Sequence, residues 1–107
     1  MLYVGEIEKA YLLNVVDEPR IQFVFGFIVY DLANRFDKGD WIATSNLIQF
    51  KEVENGFAAT TQNCTYLLRG QIEEREIVWE AVENIRTGTN PDFAMQLYRK
   101  KIKRAEN

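Results

Sequence analysis

A chain of 107 residues, 47% hydrophobic and 13% aromatic, holds enough apolar side chain for one core and lacks the length for a second domain. Its formal charge of −3 is unevenly spread: residues 99–107 carry five basic side chains and one acid, which leaves −7 on residues 1–98. With no histidine and one cysteine, imidazole catalysis, histidine metal sites, an internal disulfide and a cysteine zinc site are all excluded.

The chain order reads as strands first and helices last, in one domain spanning residues 1–107. Residues 2–15 form a long β-rich segment, with Gly5 as a bend or bulge. Lys9 interrupts the face that holds Ile7, Tyr11 and Leu13, so the register of this strand is open. Asp17, Glu18, Pro19 and Arg20 make a turn signal. Residues 21–30 are apolar on both faces except at Gln22, with Gly26 in the middle. That pattern predicts a central strand covered on both sides, or one curling around a barrel. Residues 31–40 read as a polar loop with one helical turn. Strands are expected at 41–44, 47–53, 57–62 and 64–69, and Asn55-Gly56 is the hairpin signal between the second and third of these. A symmetric turn about Asn55-Gly56 would set Ile48 opposite Asn63, Leu47 opposite Cys64 and Phe50 opposite Thr61.

Two helices are predicted after the sheet. Residues 73–86 place Val78, Ala81, Val82 and Ile85 on one stripe with Trp79 at its edge, and Gly88 stands where a C-terminal cap belongs. Asn90 then caps a second helix, with Pro91 at its first position and Asp92 near its positive end. Phe93, Leu97 and Tyr98 form its stripe, extended by Ile102. The fold class is therefore α+β: a curled antiparallel sheet or small half-barrel of five to six strands over residues 1–70, followed by two helices over 73–104. The acids Glu73, Glu74, Glu76, Glu80 and Glu83 on the first helix oppose the basic second helix in sign, within one molecule or between two.

The chemistry-bearing groups are few. No phosphate loop or dinucleotide fingerprint is present. Asp31, Asp37 and Asp40 are close in sequence but lack the spacing of a calcium loop, and turn roles suit them better. Asp40 followed by Gln49-Phe50-Lys51 departs from a nuclease acid-x-lysine pattern by its glutamine. Cys64 has no histidine to activate it and reads as a small core residue. No catalytic residue, metal set or cofactor is expected. Two polar segments, residues 44–46 and 60–63, read either as threonine-rich strand ends serving the backbone or as a hydrogen-bonding patch for a partner or small ligand. Phe25, Phe27, Trp41 and Tyr66 are candidate walls of a ligand pocket inside the curled sheet. Arg99, Lys100, Lys101, Lys103 and Arg104 are candidate nucleic-acid contacts, set against the plainer role of a solvated helix end.

The stretches Gly39-Asp40-Trp41-Ile42-Ala43-Thr44-Ser45 and Thr60-Thr61-Gln62-Asn63-Cys64-Thr65-Tyr66-Leu67-Leu68-Arg69-Gly70 resemble small orphan bacterial proteins, the uncharacterised reading frames of phages, integron gene cassettes and similar mobile elements. The resemblance implies no catalytic residues; it implies a small accessory or interaction protein. The functional expectation is a non-enzymatic protein-binding chain, self-associating as a dimer. A nucleic-acid module using the basic helix and a small-ligand domain are the alternatives. The first ten residues do not form a signal peptide and no segment reaches the length of an apolar membrane span, so a cytoplasmic location is expected.

Overall fold

Two long strands form the middle of the molecule, and a bend between them decides the rest. The computed structural model describes residues 3–105, so Leu2 at the start of the first predicted strand, and Glu106 and Asn107 at the end of the basic tail, lie outside the described residues. Strand β1 (Gly5–Val15) pairs antiparallel with β2 (Gln22–Asp31). The ladder shifts register between Glu8 and Tyr11, where Lys9 adopts a φ of 52°. The interruption that Lys9 makes in the apolar pattern is thus a bulge in the backbone. Gly26 lies opposite it on β2. A Cβ there would collide with Cγ2 of Ile7 and lie 3.1 Å from the Glu8 carbonyl oxygen, so only glycine lets the bulged strand approach.

Both faces of this pair are buried, the first of the two arrangements that the apolar run at residues 21–30 predicted. Leu13, Phe23 and Phe25 point to one side, where Ile77, Ala81, Val82, Ile85 and Ala94 pack on them. Ile7, Leu12, Val24 and Ile28 point to the other, against Ala59, Tyr66 and Leu68. The first layer is helical and the second is the sheet itself, curled back.

The curl follows from how the chain moves between edges. Strand β3 (Trp41–Ala43) pairs with β2 at one edge, and β4 (Leu47–Val53) is the opposite edge of the path β3-β2-β1-β6-β5-β4. Only residues 44–46 join them, so the two edges must lie close together, yet β3 and β4 share no ladder and the sheet is not closed. Strands β4, β5 (Gly56–Thr61) and β6 (Thr65–Arg69) form an antiparallel meander. Because β3 and β4 are not a hairpin, the alternation of directions skips one step, and β6 returns beside β1 in parallel. The sheet is therefore mixed where an antiparallel one was expected. Within the meander, the hairpin register also departs from the symmetric turn. Phe50 faces Ala59, Thr60 faces Gln49 and Leu47 faces Thr61, with Val53 opposite Gly56. The turn is thus Glu54-Asn55, and Gly56 belongs to the ladder. A Cβ on Gly56 would run into the carbonyl oxygen of Leu68 across β6, so this glycine serves strand approach as well as its φ of 146°.

A seventh strand, β7 (Glu73–Ile77), occupies residues expected to be helical. It pairs in parallel with Tyr11 to Val15 of β1, while β6 pairs with Gly5 to Ile7. The bend at Lys9 divides β1 into two pairing sites, and residues 70–72 step from one to the other. Helix α1 (Trp79–Arg86) is the shorter for it, starting after Val78, which offers no side-chain cap. At its end the amide of Gly88 bonds the Ile85 carbonyl at 3.0 Å and that of Thr89 bonds Asn84 at 2.9 Å, with Gly88 at φ 109°, the cap predicted at this glycine. Helix α2 (Pro91–Ala105) starts as expected: Asn90 Oδ1 accepts from the amides of Asp92 and Phe93 at 2.9 and 3.3 Å. Arg75 on β7 holds Asp92 at 3.0 Å and ties this first turn to the sheet. The molecule measures 51 × 26 × 23 Å, an elongated body. Among the described residues no helix is long and apolar enough to cross a membrane.

Candidate functional site

The crossing from β3 to β4 is held from the helical layer by Arg86, at the last position of α1. Its Nη1 donates to the Thr44 carbonyl at 2.8 Å and its Nη2 to Asn46 Oδ1 at 3.0 Å. The guanidinium lies over the Phe23 ring, 4.3 Å from its centroid. Among the described residues no carboxylate pairs with it, and burial lowers its pKa below the ordinary guanidinium value. Arg86 lines two clefts. One, of about 430 Å³, is formed with Phe36, Asp40, Trp41, Ile42 and Ala43. The other, of about 350 Å³, is formed with Ser45, Asn46, Ile48, Gln62 and Asn63. Residues 44–46 and 60–63 therefore do meet, and a third segment joins them. Sequence reading missed Arg86 because nothing local marks it: it looks like any basic residue in a helix's last turn.

The two polar segments divide their labour. Thr44 and Thr61 are buried and serve the backbone. Thr44 Oγ1 accepts from the Val24 amide at 3.0 Å and donates to the Ser45 carbonyl at 2.9 Å. Thr61 Oγ1 accepts from the amides of Asn63 and Cys64, both at 3.3 Å. Ser45, Asn46, Gln62 and Asn63 stay exposed around the cleft.

The four aromatic candidates do not form one pocket. Phe25 stacks on Trp41 with centroids 6.2 Å apart and meets Phe27 edge-on at 5.9 Å, all on the helix-facing side. Tyr66 lies in the cluster on the opposite face, its hydroxyl accepting from Arg35 Nη2 at 3.0 Å. The alternation of β2 explains the split: Phe25 and Phe27 face one way, and Val24 and Ile28, which share Tyr66's core, face the other. Trp41 is 42% exposed, and Gly88 gives it room, since a Cβ there would lie 3.0 Å from the indole.

The acids of the 31–40 loop are structural. The Asp31 carboxylate accepts from the amides of Ala33, Arg35 and Phe36 at 3.3, 2.8 and 3.2 Å and from the Arg35 guanidinium at 3.4 Å. Asp40 accepts from the Asp37 amide at 2.8 Å. No cluster of three acidic or cysteine side chains suited to a metal occurs among the described residues. Burial pushes the Asp31 pKa up, but the hydrogen bonds from Arg35 and the loop amides outweigh it, and the net position is below the ordinary 3.8. A depressed carboxyl pKa adds stability that is present above the unfolded value and lost as pH falls through the folded one. Urea midpoints measured from pH 5 down to pH 2 should therefore fall for the wild type below about pH 4. The Asp31→Asn variant, less stable at neutral pH, should show a flatter slope over that window; equal slopes would remove Asp31 as the cause.

The five basic residues Arg99, Lys100, Lys101, Lys103 and Arg104 are all exposed on α2, which packs chiefly on α1. Among the described residues none of them is in an ion pair. Along α2 the row Ala94, Tyr98, Ile102 begins buried and ends 39% exposed, so the body stops short of the last turns. Phe93 and Leu97, one turn apart, are 52% and 39% exposed beside that row. The acids Glu73, Glu74 and Glu76 lie exposed on β7, with Glu80 and Glu83 exposed on α1. Cys64 is half-buried, its sulfur 3.5 Å from Thr61 Oγ1.

Residues 2–84 match the family model DUF6957, a domain of unknown function. No curated protein and no solved structure matches the chain. The family description names no activity and no link to mobile elements.

Proposed function

The chain belongs to the DUF6957 family of domains of unknown function, and from that premise we propose that it is a non-catalytic interaction domain that associates with a second copy of itself through α2. The observation that carries this reading is the exposed apolar surface of that helix: Phe93, Leu97 and Ile102 are exposed, and among the described residues none of the five cations around them is in an ion pair. Its charge selects the occupant. Residues 1–98 carry −7, and the exposed acids of β7 and α1 offer a complementary face on another copy. Glutamates on β7 discourage strand addition at that edge. The lack of histidine fits a binding role better than acid–base catalysis.

Sedimentation velocity tests the reading. The wild type is expected to form dimers at micromolar concentration in low salt and to dissociate as ionic strength rises, because exposed charges beyond about 10 Å are screened at 0.1 M. Phe93→Glu, at the most exposed of the three apolar positions, should be monomeric with an unchanged melting temperature. A wild type that stays monomeric at 100-fold higher concentration would refute self-association. The same five cations also suit a nucleic-acid backbone; salt-sensitive binding of a labelled duplex by a strictly monomeric protein would transfer α2 to that role.

A further inference from the structure

We propose that the cleft walled by Ser45, Asn46, Gln62, Asn63 and Arg86 binds the oxyanion of a small organic phosphate or carboxylate. The proposal is independent of self-association, since none of these residues lies on α2. A guanidinium carries five N–H donors in a fixed fork, well matched to phosphate or carboxylate oxygens. Arg86 uses one to Thr44 and one to Asn46, and the remainder have no partner among the described residues. Because Asn46 Oδ1 accepts from Arg86, its amide nitrogen is left as a donor. Ser45, Gln62 and Asn63 supply further neutral donors.

The charge balance picks this cleft over its neighbour. No lining residue is acidic, although residues 1–98 bear −7 overall. The Trp41 cleft shares Arg86 but also holds Asp40, whose carboxylate repels an anion. Ile48, 71% exposed on β4, gives the polar cleft one apolar wall against which the organic part of a ligand can lie. The guanidinium is also held in place before any ligand arrives, by Phe23 on its face and the two oxygen acceptors at its edge. That preorganisation removes the ordering cost a mobile surface arginine would bear on binding.

The test is a titration of ¹⁵N-labelled protein with inorganic phosphate and, separately, with acetate, against sodium chloride at matched ionic strength. Saturable shifts are expected at the amides of Ser45, Asn46 and Asn63 and at Arg86 Nε, in the millimolar range. Phosphate saturating first assigns the organic phosphate; acetate saturating first assigns the carboxylate. Since Arg86→Ala would disturb the β3–β4 crossing, the decisive variant is Asn63→Asp, an exposed position whose side chain makes no hydrogen bond among the described residues. It should weaken binding at least tenfold at an unchanged melting temperature. Shifts that do not saturate, that chloride reproduces, or that persist undiminished in Asn63→Asp would overturn the proposal.

Discussion

Replacing Phe23 with alanine is expected to lower the unfolding free energy by about 4 kcal/mol, within the range for deleting a buried aromatic ring. Phe23 is fully buried between β1 and the helices, opposite Leu13, with Ile85 and Val82 in the same cluster. The ring also carries the Arg86 guanidinium, an interaction worth about 1 kcal/mol when partly desolvated. Its loss frees the side chain that fixes Thr44 and Asn46, so the damage reaches the β3–β4 crossing as well as the core. A domain of this size has roughly 5–15 kcal/mol in total, so the variant should melt about 15–30 °C lower. Urea unfolding with an unchanged m-value checks the stability term. Phe23→Leu separates the two contributions, because it keeps most of the volume and loses only the aromatic face. If Phe23→Ala cost under about 1 kcal/mol, the helix-facing core would have been wrongly placed.

The second large effect is expected at Gly26. Alanine there must push its Cβ into Cγ2 of Ile7, a branched side chain that is itself fully buried and cannot swing aside. The Glu8 oxygen at 3.1 Å and the Ala10 Cα at 3.3 Å close the other directions. Overpacking of this kind costs about 1–3 kcal/mol, and the upper end applies because two of the three obstructions are backbone. The bulge at Lys9 would have to open for relief, which would also shift the pairing of β6 and β7 along β1. Chemical denaturation should show the loss, and amide exchange should quicken at Tyr11 to Val15, the stretch of β1 paired with β7, ahead of the rest. A double change of Gly26→Ala with Ile7→Leu removes the clashing Cγ2 branch at nearly constant volume, and a partial recovery would confirm the contact as the cause.

These two positions show how unevenly the sequence spoke. The apolar run at residues 21–30 announced a strand covered on both sides or curled around a barrel, because only such burial tolerates Phe23, Val24 and Phe25 in succession with Phe27 and Ile28 just beyond Gly26. Asn90-Pro91 and Gly88 announced the start of α2 and the end of α1, since capping is chemistry between near neighbours in the chain. The glutamates at 73, 74 and 76 misled, because their intrinsic preference is helical. The strand forms there because the bend at Lys9 exposes a second stretch of β1 that needs a partner, and no window around residue 75 contains that fact.

What the amino-acid sequence determined by itself is therefore the class and the order: one α+β chain, strands first, two capped helices last, no imidazole chemistry, and a basic end on an acidic body. Tertiary structure alone decided the mixed pairing, the hairpin register set by the approach of Gly56 to Leu68, and the meeting of Arg86 with residues 44–46 and 62–63. The division has a physical origin. Propensity, patterning and capping act over a few residues and are written locally, whereas pairing partners and clefts depend on which distant surfaces the bends of the backbone bring within reach.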